Sequence, residues 1–219
     1  MCRYHYPPPK AEELSGKCSD AWEAVYGSVL VRMVLDCTEY RIQAPSNKKA
    51  ARTVWSDYKQ GHTPKILAAI APSGAFVWAS DAFPGRVSDI EICECSGFMD
   101  LVEEGDCYPA DKGFDGLAAS LREKLARVVA PPRKFRGVAQ FTSDEREQGA
   151  LQSNLRIHVE RHFSRVQAWG VFSRKKISLL YADLIGNMFF VVSHLCNFST
   201  PLHADSCFGK EMGDDEEAT

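Results

Sequence analysis

KILAAIA from Lys65 to Ala71, PSG at residues 72–74 and AFVWAS from Ala75 to Ser80 decide the fold class. Two short apolar runs around a Pro/Gly turn predict a β-hairpin. Upstream, Ser28 to Leu35 is mostly apolar and β-branched and reads as a strand. Arg32 interrupts it, which predicts a strand less buried than a central one usually is. Thr38 to Gln43 continues extended until Ala44-Pro-Ser-Asn stops it. Downstream, Pro84-Gly85 ends the hairpin, and Ser88-Asp-Ile-Glu91 fits a capping box that opens a helix through Glu103. Cys107 to Ala110 predicts a short buried strand. Gly113 and Gly116 punctuate the chain before a helix from Leu117 to Ala126, and Arg127 to Ala130 is another short strand stopped by Pro131-Pro132. Gln148 to Trp169 reads as one long helix and Leu180 to Asn197 as the last. Strands first, then alternating helices and strands, suit an α/β fold: a mixed sheet with helices on both faces.

At 219 residues, with 45% hydrophobic and 25% charged side chains, the chain fits one globular domain with a sizeable core. Residues 1–27 read as an N-terminal tail in which Pro7-Pro8-Pro9 is stiff and Ser19 to Tyr26 is a short helix. Residues 28–204 form the domain, and 205–219 an acidic tail expected to be disordered. The start, MCRYHYPPPK, has no apolar core and so no secretory signal. The apolar stretch from Leu179 to Phe198 contains Asp183, Asn187, Ser193 and His194, which favours a buried amphipathic helix over a membrane span. The eight cysteines are scattered, without a Cys-x-x-Cys grid, and read as reduced thiols. In CECS, Cys93 and Cys95 lack a second ligand pair for a soft metal, leaving helix packing and one exposed thiol.

Net charge is −3, but the distribution is uneven. From Asp205 onward there are six acids and one base; without them 25 basic and 23 acidic residues remain, a net of +2. Between Arg133 and Lys176, ten Lys/Arg face four Asp/Glu. That local excess suits a phosphate-backbone track, and equally a solvated helix face.

Three acidic signatures stand in different local structures: VLDCTE at 34–39, PADKGF at 109–114 and RIHVER at 156–161. Asp36 ends an apolar strand-like run, Asp111 ends a short segment that breaks at a glycine, and Glu160 lies mid-helix. Carboxylates converging from two strands and a helix would make an all-oxygen anionic pocket of the kind hard divalent cations prefer. Each also has a simpler reading. Asp36 fits an exposed edge or a side-chain-to-backbone turn bond. Asp111 fits a plain turn aspartate, with Asp115 as a nearby competitor. Glu160 fits a surface pair with Arg156 worth a few tenths of a kcal/mol. HVERH is no zinc motif: His158 and His162 share a helix face, whereas Glu160 sits roughly 200° from the first histidine at 100° per residue. It borders the face of Val159, Phe163 and Val166, which is expected to pack on the sheet.

Ordered blocks across the chain, namely LDCTEYRIQAPSN from Leu35, SDYKQGHTPKIL from Ser56, SGAFVWASDAFPGRVSD from Ser73, SGFMDLVEEGDCYPADKGF from Ser96, LRIHVERHFSRVQAW from Leu155 and NMFFVVSHLCNFSTPL from Asn187, resemble the catalytic domain of PIF/Harbinger-type transposases, DDE superfamily endonucleases, and of host proteins derived from them. The resemblance runs from about Arg32 to Leu202. It implies a ribonuclease-H-like fold, a five-stranded mixed sheet with helices on both faces. The first carboxylate lies on the central strand, the second after the neighbouring fourth strand, and the third on a helix packed over them.

The resemblance further implies that Asp36, Asp111 and Glu160 are the catalytic, metal-binding triad. It implies two Mg²⁺ or Mn²⁺ ions and phosphodiester cleavage or strand transfer on DNA. Two ions about 3.5–4 Å apart can hold attacking and leaving oxygens in line. Asp89 and Lys112 fall in matching blocks as accessory candidates. Lys59, His62, Lys65, Arg156, Arg161 and Arg165 are candidates for DNA phosphate. The expected setting is the nucleus, with cytoplasm, without a membrane. An oligomer is compatible with it, as is a separate Myb-like or helix-turn-helix DNA-binding partner. Only 35 residues precede Asp36, too few for a recognition domain of that kind, so the chain reads as an isolated catalytic domain. The competing readings are a domesticated, catalytically inactive DNA- or protein-binding module, and a nuclease acting on RNA or hybrids.

Overall fold

The computed structural model describes Tyr26, residues 31–130 and residues 157–200. The expectations for the two tails, for Ser28 to Leu30, for Pro131-Pro132 and for residues 148–156, Arg156 included, lie outside the described residues. The chain has a mixed α/β structure with several sheets.

Strand β1, Val34–Glu39, pairs antiparallel with β4, Pro64–Ile70, so that Asp36 lies opposite Ala68 and Glu39 opposite Lys65. The hairpin forms as its turn chemistry predicts. Gly74 has φ 86°, and β5, Phe76–Ala79, returns antiparallel to β4 with a bulge between Ala69 and Ile70. Strand β6, Phe83–Pro84, pairs with the start of β4. Between β1 and β4 lie features with no counterpart in the sequence reading: helix α1, Lys48–Thr53, capped by Asn47, and a small ribbon of β2, Trp55–Ser56, and β3, Gly61–His62. The outer edge of β5 is covered by a side chain: Asn197 accepts from the Phe76 N–H (2.8 Å) and donates to the Phe76 carbonyl (2.9 Å).

The second half begins with α2, Asp89–Cys95. Ser88 caps it, accepting from the Glu91 N–H at 3.2 Å. The helix is shorter than predicted: Gly97 adopts φ 83°, and a 3₁₀ turn, Phe98–Leu101, replaces the last turns. Strand β7, Cys107–Pro109, pairs parallel with β8, Arg127–Val129. They are joined by a 3₁₀ helix, Lys112–Leu117, and α3, Ala118–Arg122, where one helix to Ala126 was expected. Parallel bridges Val31–Cys107 and Leu35–Ala110 tie this pair to β1. Residues 157–167 are helical (α4), and the last helix, α5, Ile185–Cys196, is entered through a 3₁₀ segment, Leu179–Leu184. The stretch Leu179–Cys196 is long and apolar enough to cross a membrane by length and composition alone. Its inner face is built into the core through Ile185, Phe189 and Val192.

The strands' alternation sorts the core into two clusters. Val34, Ile66, Ala68, Ile70, Phe76 and Ala79 pack with Val159, Phe163 and Val166 of α4 and with Phe189 of α5. Leu35, Leu67, Ala69 and Trp78 point the other way, onto Ile92 and Cys93 of α2, Phe114, Leu117 and Leu121. Helices therefore cover both faces.

One sequence expectation reverses. Arg32 does not mark a poorly buried strand; it is 2% exposed. Its Nη1 donates to Asp106 Oδ2 (2.9 Å) and to the Leu101 carbonyl (2.8 Å), and its Nη2 lies 2.9 Å from Glu103 Oε1. The Tyr108 hydroxyl and the Glu103 N–H also donate to Asp106 Oδ2. Burial works against the guanidinium charge, but its acidic partners outweigh that cost and hold the Arg32 pKa above its ordinary value.

Candidate metal centre

The Leu35–Ala110 bridge brings the first two acidic signatures together. Both bridge residues belong to the α2-side cluster. The next residue on each strand, Asp36 and Asp111, therefore turns to the opposite face, since Asp111 keeps an extended backbone at φ −78°, ψ 169°. For Asp36 the pairing with Ala68, a member of the α4-side cluster, gives the same face. Asp36 is half-buried and Asp111 exposed at the strand end. The backbone bond weighed as an alternative for Asp36 is present: its Oδ1 accepts from the Cys37 N–H at 2.8 Å. Asp115 sits one turn on in the 3₁₀ helix.

Glu160 comes from α4, which covers that same face. His158, Val159, His162, Phe163 and Val166 are buried, while Glu160 and Arg161 are exposed. Both histidines are core residues. The His162 ring stacks on Phe76 at 5.4 Å and 10°. Burial, then the nearby Arg165 and His194, lower its pKa to about 4, so it is neutral.

The donor set is carboxylate oxygen, the chemistry a hard divalent cation selects. Asp36 and Asp111 fit two arms of such a site. Among the described residues, no three His, Cys, Asp or Glu side chains stand close enough together to hold an ion. The Glu160 carboxylate is thus on the covering helix but not gathered with the other two.

On the α2 side of the same strand ends lies a cluster for which the sequence reading gave no arrangement. Lys65 Nζ donates to the Val87 carbonyl (2.9 Å) and Asp89 Oδ1 (3.1 Å), and lies 3.7 Å from Glu39 Oε1. Thr63 Oγ1 donates to Glu39 Oε2 at 2.6 Å. Cys37 lies among these charges: burial first, then Asp89 and Asp36, raise its thiol pKa well above the usual value. Asp89 therefore both starts a helix, as its position after Ser88 suggested, and neighbours the candidate centre. A Glu and a Lys placed directly opposite on antiparallel strands are the signal that could have found the pair, once the register was known.

The remaining phosphate candidates are spread out. Lys112 is exposed beside Asp111. Lys65 is internal to the ion-pair cluster, with its side chain 13% exposed. Lys59 lies over the Tyr58 ring at 5.0 Å, and His62 packs edge-on to Trp55 at 5.1 Å. Arg165 is half-buried near His162. A shallow pocket of ≈ 240 Å³ is lined by Val171, Arg174, Ile177, Ser178, Tyr181 and Met188, and by none of the three carboxylates.

Comparison with known proteins agrees with the resemblance at superfamily level. The DDE superfamily endonuclease family matches residues 35–197, a span that contains Asp36, Asp111 and Glu160. No curated protein matches, and no solved structure matches. With most of its length matched, this chain belongs to the DDE superfamily endonuclease family.

Proposed function

We propose that the chain is a divalent-metal-dependent DNA endonuclease and strand-transfer domain of the Harbinger type, with Asp36, Asp111 and Glu160 as its metal-holding carboxylates. The observation that carries this reading is the Leu35–Ala110 bridge, which makes Asp36 and Asp111 neighbours on the face that α4 covers. Family membership supports a nuclease activity. A ribonuclease-H-like sheet is part of the proposal. Its support is the spatial order β8, β7, β1, β4, β5, in which β1, β4 and β5 are antiparallel and β7 joins β1 through parallel bridges.

Mg²⁺ or Mn²⁺ held there would supply Lewis-acid stabilisation of the attacking and leaving oxygens of a phosphodiester, in a two-ion arrangement. The chain's own residues do the rest. Asp36 offers a carboxylate from a strand paired along its whole length with β4. Asp111 offers one from the strand end where open α/β sheets place ligands. Glu160 completes the set when α4 shifts or turns toward the sheet on substrate binding. Lys112 sets a cation beside Asp111 to orient the scissile phosphate. Arg161, one residue from Glu160, and Arg165, one turn on, meet the phosphate backbone. The expected partners are DNA and a separate Myb-like or helix-turn-helix protein, in the nucleus.

Nicking of supercoiled plasmid tests the activity. The parent chain should nick with Mn²⁺ and not with EDTA. Asp36→Asn, Asp111→Asn and Glu160→Gln should each fall by at least about a hundredfold, roughly 2.7 kcal/mol of barrier. Equal nicking by Asp111→Asn and parent contradicts the assignment. A folded parent chain that never nicks supports an inactive binding module instead.

A further inference from the structure

The Asp111 turn is docked, not merely tethered. Its 3₁₀ helix, Lys112–Leu117, has about three residues per turn, so Gly113 and Gly116 fall on one face. Both meet the first turn of α2. A Cβ built on Gly113 would lie 2.5 Å from Asp89 Oδ2, and one on Gly116 would lie 2.5 Å from Ile90 Cδ1. The two glycines, which in the sequence read as punctuation, let α2 approach the backbone of this segment. Asp89 in turn is fixed by its other oxygen, which Lys65 Nζ holds at 3.1 Å. Lys65 is anchored by the Val87 carbonyl and by Glu39, and Glu39 is anchored by Thr63. Through two hydrogen bonds and one ion pair, the Lys65 ammonium thus joins β1, β4 and the start of α2.

We propose that Lys65 and Asp89 are positioning residues that set the location of the Asp111 carboxylate: Lys65 orients Asp89, and Asp89 seats the Gly113 backbone. Asp89 then acts through the turn and does not itself hold metal. The role in metal binding rests on the function proposed above; the docking of the turn does not. Of the two Asp89 carboxylate oxygens, Oδ1 is bonded to Lys65 and Oδ2 packs against the Gly113 backbone. A larger residue at 113 must displace either Asp89 or the turn.

The test separates the two claims. Amide hydrogen exchange of metal-free protein is followed at Phe114, whose N–H donates to the Asp111 carbonyl at 3.0 Å. Lys65→Met and Asp89→Ala should speed exchange there by at least about tenfold, while amides of the β1–β4 ladder keep their protection. Lys65→Arg, which restores a cation, should recover part of it. Should Lys65→Met fail to fold, Gly113→Ala, which keeps Lys65 and Asp89, should give the same local loss. Calorimetry with Mn²⁺ on the same variants should show affinity falling with Phe114 protection. Unchanged exchange at Phe114 in the folded variants overturns the proposal. So does weakened Mn²⁺ binding without any change at Phe114, which would make Asp89 a direct ligand. Faster exchange in the variants, with no Mn²⁺ binding by the parent, overturns the metal reading and leaves the docking of the turn standing.

Discussion

Asp36 and Asp111 each follow by one residue the parallel bridge that joins Leu35 to Ala110. Because side chains alternate along a strand, that one step moves both carboxylates from the α2 side of the sheet to the side covered by α4. Two acids far apart in the sequence are thereby placed at neighbouring strand ends by the backbone register.

Replacing Arg32 should be costly to the fold. Arg32→Met removes the cation from Asp106, a buried carboxylate that is 2% exposed, and an uncompensated buried charge costs about 3–5 kcal/mol. The Tyr108 hydroxyl and Glu103 N–H still donate to Asp106, which places the expectation near the lower end. Tyr108→Phe should cost less, about 1–2 kcal/mol. Urea unfolding of the two variants checks the order; a neutral Arg32→Met would mean that the Asp106 cluster contributes nothing to stability.

Stability should fall with acid through His162. Its pKa in the folded chain, about 4, lies below the ordinary 6.5, so folding favours the neutral ring. The contribution is complete above pH 6.5 and is lost as the pH falls from 6.5 through 4. It amounts to roughly 2–3 kcal/mol across that window. His162→Phe keeps a ring against Phe76 and removes the titration. Urea midpoints measured between pH 7 and 4 should then decline less steeply than in the parent chain, and parallel slopes would show that another group carries the acid sensitivity.

The cysteines of CECS should react unequally. Cys95 is exposed, while Cys93 is buried, its thiol pushed up to about 12 by burial and by Asp89 and Glu94. The thiolate is the reactive form. Iodoacetamide at pH 8 should therefore modify Cys95 first among the described cysteines and leave Cys93 and Cys107 untouched until denaturant is added. Peptide mass spectrometry reads the order, and early labelling at Cys93 would show that α2 opens readily.

Much of this was legible because local chemistry dictated it. Pro72-Ser-Gly74 between two apolar runs fixed the hairpin, Ser88 with Glu91 marked the start of α2, and the period of α4 put Val159, Phe163 and Val166 on its packed face. What was not legible depends on partners distant in sequence. Arg32 looked like an interruption because Asp106 and Glu103, which neutralise it, come far downstream in the sequence, 74 residues on in the case of Asp106. The Glu39–Lys65–Asp89 cluster needs the β1–β4 register, which alternation alone leaves open. The end of α2 short of Glu103 follows from the left-handed Gly97, a local signal that the sequence reading passed over, whereas the docking of Gly113 and Gly116 on α2 depends on tertiary contact.

The most direct measurement of the central claim is a calorimetric titration of Mn²⁺ into the parent chain, Asp36→Asn, Asp111→Asn and Glu160→Gln. Mn²⁺ binding should weaken by at least about tenfold in each aspartate variant, since each removes one carboxylate from an oxygen-ligand site. Without DNA, Glu160→Gln should bind Mn²⁺ as the parent does and unfold at the same urea midpoint, because its side chain is exposed and joins the other two only on substrate binding. Isotherms for Asp36→Asn and Asp111→Asn that superimpose on the parent's would contradict the account: the strand ends would then be neighbours without being a metal centre.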